Sequence, residues 1–175
     1  MKKTLKGFTL VELLVVIAII GLLSTVAVVA LNSARTKSRD AKRVADVKQI
    51  QTALELYFND KNQYPVETDA VALGTDTKKV LATDGFKAAP AQGDTTYMGL
   101  IPLDPLPGTP TPCANGSLST DSCTYAYKAT GTTPTSYQMW FRLEQLTAGL
   151  KAGLKCATEA GIAEPTGTGA NATCP

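Results

Sequence analysis

Histidine is absent from this sequence of 175 residues. Its absence removes the side chain that most often acts as a general base at neutral pH and as a metal ligand. The G-x-S-x-G, Walker and H-E-x-x-H motifs are missing too. Asp104 and Asp121 are a carboxylate pair without a supporting pattern, and both are expected to be solvated. An enzyme is therefore disfavoured, and no catalytic residue, cofactor or metal site is predicted.

Net charge is also small, because 17 basic side chains stand against 15 acidic ones and give +2. Three of the basic side chains, Lys2, Lys3 and Lys6, precede the first apolar run. Without them, 14 basic side chains stand against 15 acidic ones. The rest of the chain is thus nearly neutral, and no nucleic-acid partner is predicted.

Charge is missing altogether from residues 13–34. As a helix this stretch is about 33 Å long, which is enough to cross the core of a bilayer. A cleaved secretory signal is the alternative, but such a signal has an apolar core of about 7 to 15 residues before a small-residue cleavage site. Residues 24–30 continue the apolar, β-branched pattern instead. A transmembrane helix is the favoured interpretation.

Cysteine does not occur before Cys113, and Cys123, Cys156 and Cys174 follow without a C-x-x-C pair. An even number in a chain that crosses a membrane favours disulfides and an oxidising compartment over zinc. Three pairings are possible. The short loops favour Cys113 with Cys123 and Cys156 with Cys174, and free thiols are the remaining alternative. If the cysteine-bearing part is outside, the N-terminus is cytoplasmic.

Proline is absent before Pro65, and Gly21 is the only glycine between Phe8 and Asn59. Nothing therefore interrupts one predicted helix of about 50 residues, whose first half is apolar all round. Its second half is amphipathic, because apolar residues recur at steps of three and four. These residues are Val44, Val47, Ile50, Leu54, Tyr57 and Phe58. The sequence NDKNQYP at residues 59–65 supplies the stop.

The segment after this helix gives weaker signals. Residues 71–73 and 78–81 are interpreted as parts of a short helix, and residues 95–101 as a strand. Five prolines in residues 102–112 predict an irregular connection. Leu146, Leu150 and Leu154 are expected to form one or two helical turns. The tail from Glu164 is expected to be loose unless Cys174 is disulfide-bonded.

The clearest β-signal is a hairpin. CTYAYKA at residues 123–129 and SYQMWFRLE at residues 136–144 are rich in β-branched and aromatic residues, with a turn-rich stretch between them. Tyr137, Met139, Phe141 and Leu143 alternate with polar residues and Trp140. We expect that face to pack on the amphipathic half of the helix, and Tyr137 and Trp140 to be core residues.

The residues Lys6-Gly7-Phe8-Thr9-Leu10-Val11-Glu12, followed by VVIAIIGLL at residues 15–23, resemble the type IV pilin and type II secretion pseudopilin superfamily. The detailed resemblance covers about residues 1–35, and ALELYFNDKNQYP is similar to the helix end of many members. It implies an α+β pilin fold, in which a long N-terminal helix packs on a small antiparallel sheet. It also implies a prepilin with a class III signal peptide.

In that superfamily a prepilin peptidase cuts after the glycine and methylates the new N-terminal residue. The resemblance carries these roles to Gly7 and Phe8. It also implies that Glu12 pairs with the N-terminal amine of a neighbouring subunit during assembly. A glutamate that reaches the headgroups from near the helix end is the alternative. The implied partners are copies of the chain, the peptidase, the inner-membrane assembly machinery and the membrane itself through residues 8–34.

The implied localisation is the inner membrane, as a single-pass protein with a cytoplasmic N-terminus, and then an extracellular pilus on the cell surface. The resemblance divides the chain into four parts. These are a leader at 1–7, a transmembrane and filament-core helix at 8–34, an amphipathic helix half at 35–60 and a globular domain at 61–175.

The sequence departs from the superfamily pattern at two places. Many pilins have a proline eight residues after the glycine that matches Gly21, where this chain has Val29. Major pseudopilins bind calcium in an acidic C-terminal loop, and the last aspartate here is Asp121. A pilin is therefore favoured, with a pseudopilin as the alternative and a non-polymerising, membrane-anchored binding protein as a further one.

Overall fold

A computed structural model describes residues 7–75, 77–106, 113, 123–166 and 174–175. Residues 1–6 of the predicted leader, Asp121, and much of the proline-rich connection and of the tail lie outside the described residues. The chain divides into an N-terminal unit, Met1–Thr36, and a C-terminal unit, Lys37–Pro175. One helix, α1 at Leu10–Lys61, runs through both units.

In the part of the chain that the structure describes, eight strands follow the helix. They are β1 at Glu67–Ala72, β2 at Val80–Ala82, β3 at Gly85–Lys87, β4 at Thr96–Met98, β5 at Ala126–Ala129, β6 at Gln138–Leu143, β7 at Gly153–Thr158 and β8 at Gly161–Ala163. A five-stranded antiparallel sheet has the order β1-β5-β6-β7-β8, and a three-stranded one has the order β3-β2-β4. The predicted α+β fold, a long N-terminal helix packed against antiparallel sheets, is confirmed.

Helix α1 starts and ends within about two residues of the predicted positions. At its C-terminus Asn62 adopts a φ of 54° and donates its backbone N–H to the Phe58 carbonyl at 2.7 Å. Asparagine tolerates this left-handed conformation better than most residues. The turn chemistry of residues 59–65 therefore stops the helix as its composition predicts.

The core of the C-terminal unit lies between the amphipathic half of α1 and the five-stranded sheet. Val47, Ile50 and Leu54 are fully buried on the helix side. On the sheet side, the predicted inward face of β6 is buried, and it joins the same cluster. The hairpin of β5 and β6 is confirmed, with Tyr127 opposite Met139. Alternation along the strand thus selects the helix-facing side chains.

Two helical expectations are wrong. Residues 71–73 and 78–81 contribute to β1 and β2, because Leu81 is buried by pairing with Phe86 on one side and Met98 on the other. Leu150 and Leu154 do not continue a helix either. Gly149 and Gly153 have φ values of 82° and 107°, which turn the chain into β7.

A buried ion network joins α1 to two loops of the C-terminal unit. Arg43 contacts Asp40 at 2.7 Å, Asp104 at 2.7 Å and Glu144 at 2.6 Å, and its side chain is 2% exposed. The expectation of a solvated Asp104 is therefore wrong. Asp40 also accepts the backbone N–H groups of Glu144, at 3.0 Å, and Gln145, at 2.8 Å. The network fixes where both loops meet the helix.

Candidate functional site

The segment that precedes α1 carries the residues that the sequence singles out for processing. Gly7, Phe8 and Thr9 are non-helical and exposed, and the Phe8 side chain is 83% exposed. A Cβ atom placed on Gly7 would meet no described atom within 4 Å. The bond between Gly7 and Phe8 therefore lies in an accessible, non-helical stretch just before the helix. A peptidase needs that kind of backbone, because a helical peptide bond is not presented to a cleft.

Thr9 and Glu12 close the helix N-terminus reciprocally. The Thr9 backbone N–H donates to Glu12 Oε2 at 2.9 Å, and the Thr9 hydroxyl donates to the same oxygen at 2.8 Å. The Glu12 backbone N–H in turn donates to Thr9 Oγ1 at 3.2 Å. This arrangement is a capping box, in which two backbone donors that a helix leaves unpaired find acceptors.

Glu12 thus has a partner within its own chain, which the sequence analysis missed. The signal was present, since T-x-x-E directly before an apolar run is the sequence signature of a capping box. The arrangement also sets the position of the carboxylate. It lies at the first turn of α1, where the positive end of the helix dipole favours an anion. The intermolecular role expected of Glu12 stays a prediction.

The described residues leave most of the apolar half of α1 exposed. Among the described residues one helix, α1, is long and apolar enough to cross a membrane, and the most apolar part of it is not buried at all. Two of its hydroxyl groups are satisfied within the helix, because Ser24 donates to the Ile20 carbonyl at 2.7 Å and Thr25 donates to the Leu22 carbonyl at 2.8 Å. Because these hydroxyl groups donate to backbone carbonyls of the same helix, the two side chains can enter hydrocarbon without an unpaired hydrogen-bond donor.

Gly21 lies in the middle of this apolar half. It is helical, and a Cβ atom built on it would meet no described atom within 4 Å. The single chain therefore gives Gly21 no packing role. A glycine costs an exposed helix about 1 kcal/mol relative to alanine.

The cysteines form two disulfides within short loops. Cys113 is bonded to Cys123, with 4.9 Å between their Cα atoms, and Cys156 is bonded to Cys174, with 5.6 Å between theirs. Both bonds pack with Trp140, which is 4% exposed and lies on the face of the sheet that points away from α1. Trp140 is directly opposite Cys156 in the register of β6 and β7. The disulfides thus help to build a second, smaller core, to which the expected core residue Trp140 belongs.

Within residues 7–75, 77–106, 113, 123–166 and 174–175, no group of three histidine, cysteine, aspartate or glutamate side chains has a geometry for a metal ion. The pKa of Glu144 is lowered to about 2, mainly by its hydrogen bond with Arg39 and further by Arg43, against the opposing effect of burial. Asp46 shows the opposite shift, because burial raises its pKa despite the hydrogen bond from Tyr125.

A family profile described as the prokaryotic N-terminal methylation motif matches residues 2–28. The chain is 31% identical over 107 residues to the type II secretion system core protein G of Klebsiella michiganensis, which covers 61% of this chain and 72% of that protein. It is 32% identical over 105 residues to the protein of the same name in Dickeya chrysanthemi, which covers 60% of this chain and 65% of the relative.

A pilin is also among the relatives. The type IV major pilin protein PilA of Myxococcus xanthus is 27% identical over 108 residues, which covers 62% of this chain and 47% of that protein. The chain therefore spans less than two thirds of the length of the Dickeya and Myxococcus relatives. No solved structure matches the chain significantly.

Proposed function

Because the chain belongs to the type IV pilin and type II secretion pseudopilin superfamily, we propose that it is a structural subunit of a type IV pilus-like filament. It is made as a prepilin, is cut between Gly7 and Phe8, and is methylated on Phe8. The observation that carries the proposal is the juxtaposition of an accessible Gly7–Phe8 bond, a capping box at Glu12 and an uncovered apolar helix. The role is structural and not catalytic.

Assembly follows from the surface that the single chain leaves uncovered. The apolar half of α1 first resides in the inner membrane and then packs against the same half of neighbouring subunits, which keeps it out of water. Packing provides most of the stability. Glu12 sets the axial offset between neighbouring helices. A carboxylate in a low-dielectric bundle is stabilised most at the one offset that places a positive group opposite it.

Cleavage produces that positive group. The new amine on Phe8 lies four residues before Glu12, about one helical turn away. A neighbour displaced along the bundle by about one turn can therefore bring its amine to this Glu12. The capping box supports the pairing, since Thr9 holds the carboxylate in place before the neighbour arrives.

A type II secretion pseudopilin is the second candidate. The relatives named type II secretion system core protein G favour it. The sequence lacks the acidic C-terminal loop of calcium-binding pseudopilins, and this absence favours the pilin. The same N-terminal chemistry serves both candidates, so they differ in where the filament ends up, at the cell surface or in the periplasm.

The N-terminus begins in the cytoplasm, and the C-terminal unit lies outside it, where disulfides persist. The partners are other copies of the chain, the prepilin peptidase and the inner-membrane assembly machinery. After assembly the subunit is part of an extracellular pilus.

Intact mass of the chain in filaments sheared from cells tests the proposal. The expected mass lacks residues 1–7 and carries one methyl group on Phe8, and electron microscopy of the same material shows filaments. A Gly7→Val variant is the matched control, because a branched side chain obstructs the peptidase without changing the mature sequence. Full-length Met1 chains in wild-type filaments would overturn the cleavage step. Mature chains confined to the periplasm would favour the pseudopilin.

A further inference from the structure

Two exposed leucines lie close to the ion network of the C-terminal unit. Leu103 is 54% exposed and directly precedes Asp104, and Leu146 is 68% exposed and lies two residues after Glu144. Asp104 and Glu144 are both bound to the guanidinium of Arg43. The network therefore brings two apolar loop positions to the same end of the unit, the end where its part of α1 begins.

Exposed basic side chains lie on the helix at this end. Asp40, Asp104 and Glu144 are paired inside the network with Arg43 and, for Glu144, also with Arg39, so that three carboxylates share two guanidinium groups. Exposed lysines, by contrast, flank the buried arginine on the helix. They are Lys37 and Lys42. We call Leu103, Leu146, Lys37 and Lys42 the leucine–lysine edge.

The connection to the uncharged segment limits how far this edge can lie from a membrane. Lys37 follows Ala34, the last residue of that segment, by three positions. Even a fully extended chain of three residues spans no more than about 11 Å. This short connection therefore keeps Lys37, the first residue of the edge, near the bilayer boundary whatever the angle between the two units.

We propose that the leucine–lysine edge docks on the surface of a bilayer that contains acidic phospholipids while the chain is anchored as a monomer. The lysines contact headgroup phosphates, and the leucines enter the boundary between headgroups and acyl chains. This proposal rests on the membrane anchorage in the proposed function. Docking holds the C-terminal unit at the bilayer until the subunit is extracted into a filament.

Tryptophan quenching in vesicles tests the docking with the full-length chain. The variants Leu103→Trp and Leu146→Trp are reconstituted into phosphatidylglycerol vesicles, with or without bromine on the acyl chains near the headgroup. The single native tryptophan, Trp140, is 4% exposed and gives the baseline in the unsubstituted chain. We expect bromine to remove at least about half of the emission that each added tryptophan contributes, because quenching requires contact with the lipid.

Leu56→Trp is the matched control. Leu56 is 54% exposed, as Leu103 is, but it lies on α1 about 20 Å beyond Arg43. Its added emission should not be quenched. Lys37→Glu with Lys42→Glu, in the Leu146→Trp chain, should restore most of the emission, and so should replacing phosphatidylglycerol by a phosphatidylcholine brominated at the same place.

Leu22→Trp, in phosphatidylglycerol vesicles whose bromine lies near the end of the acyl chains, separates a failure of docking from a failure of anchorage. Quenching of Leu22→Trp together with unquenched Leu103→Trp and Leu146→Trp overturns the docking and leaves the anchored subunit intact. Absence of quenching at Leu22→Trp overturns both. A blue-shifted, unquenched emission of Leu146→Trp that depends on protein concentration would assign the edge to contact with a second copy, and would overturn the lipid proposal.

Discussion

Arg43 binds Asp104 through two parallel hydrogen bonds, from Nε to Oδ2 at 2.7 Å and from Nη2 to Oδ1 at 2.8 Å. The two residues are 61 positions apart in the sequence. Burial opposes the positive charge of Arg43, but the hydrogen bonds with Asp104, Glu144 and Asp40 outweigh burial and raise the pKa of the guanidinium. This ion pair holds the loop after β4 against the helix. It thereby also fixes the position of Leu103, which belongs to the leucine–lysine edge.

Replacement of Arg43 by methionine should destabilise the C-terminal unit by about 3–5 kcal/mol, because it leaves buried carboxylates without their counter-charge. Denaturant unfolding of the full chain in detergent, followed by Trp140 fluorescence, measures the loss. Arg39→Met is the matched control and should cost clearly less, since Arg39 is 28% exposed and its loss leaves Glu144 paired with Arg43. Equal losses for the two variants would show that the Arg43 network is not a buried anchor.

Acid stability should depend on Glu144. Its pKa is about 2 in the folded chain and 4.5 without interactions, so its stabilising effect is complete above pH 4.5 and is lost as the pH falls towards 2. The denaturant midpoint of the wild-type chain should therefore decrease between pH 5 and pH 2. The denaturant midpoint of the Glu144→Gln chain should be lower than that of the wild type at pH 5, and it should decrease less between pH 5 and pH 2. An unchanged slope in the variant would assign the acid sensitivity to other carboxylates.

Gly74 should be far less tolerant of a side chain than Gly93. Both have positive φ angles, 74° and 92°, so alanine meets a similar backbone penalty of about 1–2 kcal/mol at each position. A Cβ atom on Gly74 would also lie 2.8 Å from the Pro102 carbonyl oxygen, whereas one on Gly93 would meet no described atom within 4 Å. Gly74→Ala should therefore lose about 1–3 kcal/mol more in denaturant unfolding. Similar losses of unfolding free energy for Gly74→Ala and Gly93→Ala would mean that the loop at Pro102 shifts at little cost to make room for the added methyl group.

Local patterns predict the long helix and the hairpin of β5 and β6, because periodicity and turn residues within a few positions specify both. Strand β7 depends instead on contacts that the local pattern does not contain, such as the pairing of Leu154 with Arg142. The Arg43 network is non-local too, since Asp104 and Glu144 are 61 and 101 positions away. The contact of Thr9 with Glu12 is different, because its three-residue spacing was readable in the sequence.

Reduction of the disulfides should expose Trp140. Both bonds close short loops, of 10 and 18 residues, against the second core, and each such bond contributes about 2–4 kcal/mol. A double variant of Cys156→Ala and Cys174→Ala should red-shift the Trp140 emission more than Cys113→Ala with Cys123→Ala, because Cys156 is directly opposite Trp140. A reducing agent should reproduce the shift in the wild-type chain. An emission maximum that does not move on reduction would show that the sheet covers Trp140 without the disulfides.

Substitutions at Thr9 and Glu12 should separate helix capping from subunit pairing. Thr9→Val removes the hydroxyl of the capping box, which costs the helix about 1 kcal/mol, but leaves the carboxylate for a neighbour. Glu12→Gln keeps an oxygen that can accept the Thr9 hydrogen bonds and removes the negative charge. Glu12→Ala removes both functions. If the charge pairs with the amine on Phe8 of a neighbour, Glu12→Gln should impair assembly nearly as much as Glu12→Ala, and Thr9→Val should impair it much less.

Co-expression of each variant with the wild-type chain makes this comparison quantitative. The measurement is the ratio of variant to wild-type chains in sheared filaments, determined by mass and divided by the same ratio in the membrane fraction. We expect a reduction of about tenfold or more for Glu12→Gln, since a tenfold change corresponds to about 1.4 kcal/mol and one desolvated charge pair exceeds that value. Incorporation of Glu12→Gln at the wild-type level, with poor incorporation of Thr9→Val, would reverse the assignment. Glu12 would then act on assembly only through the capped helix end of its own chain.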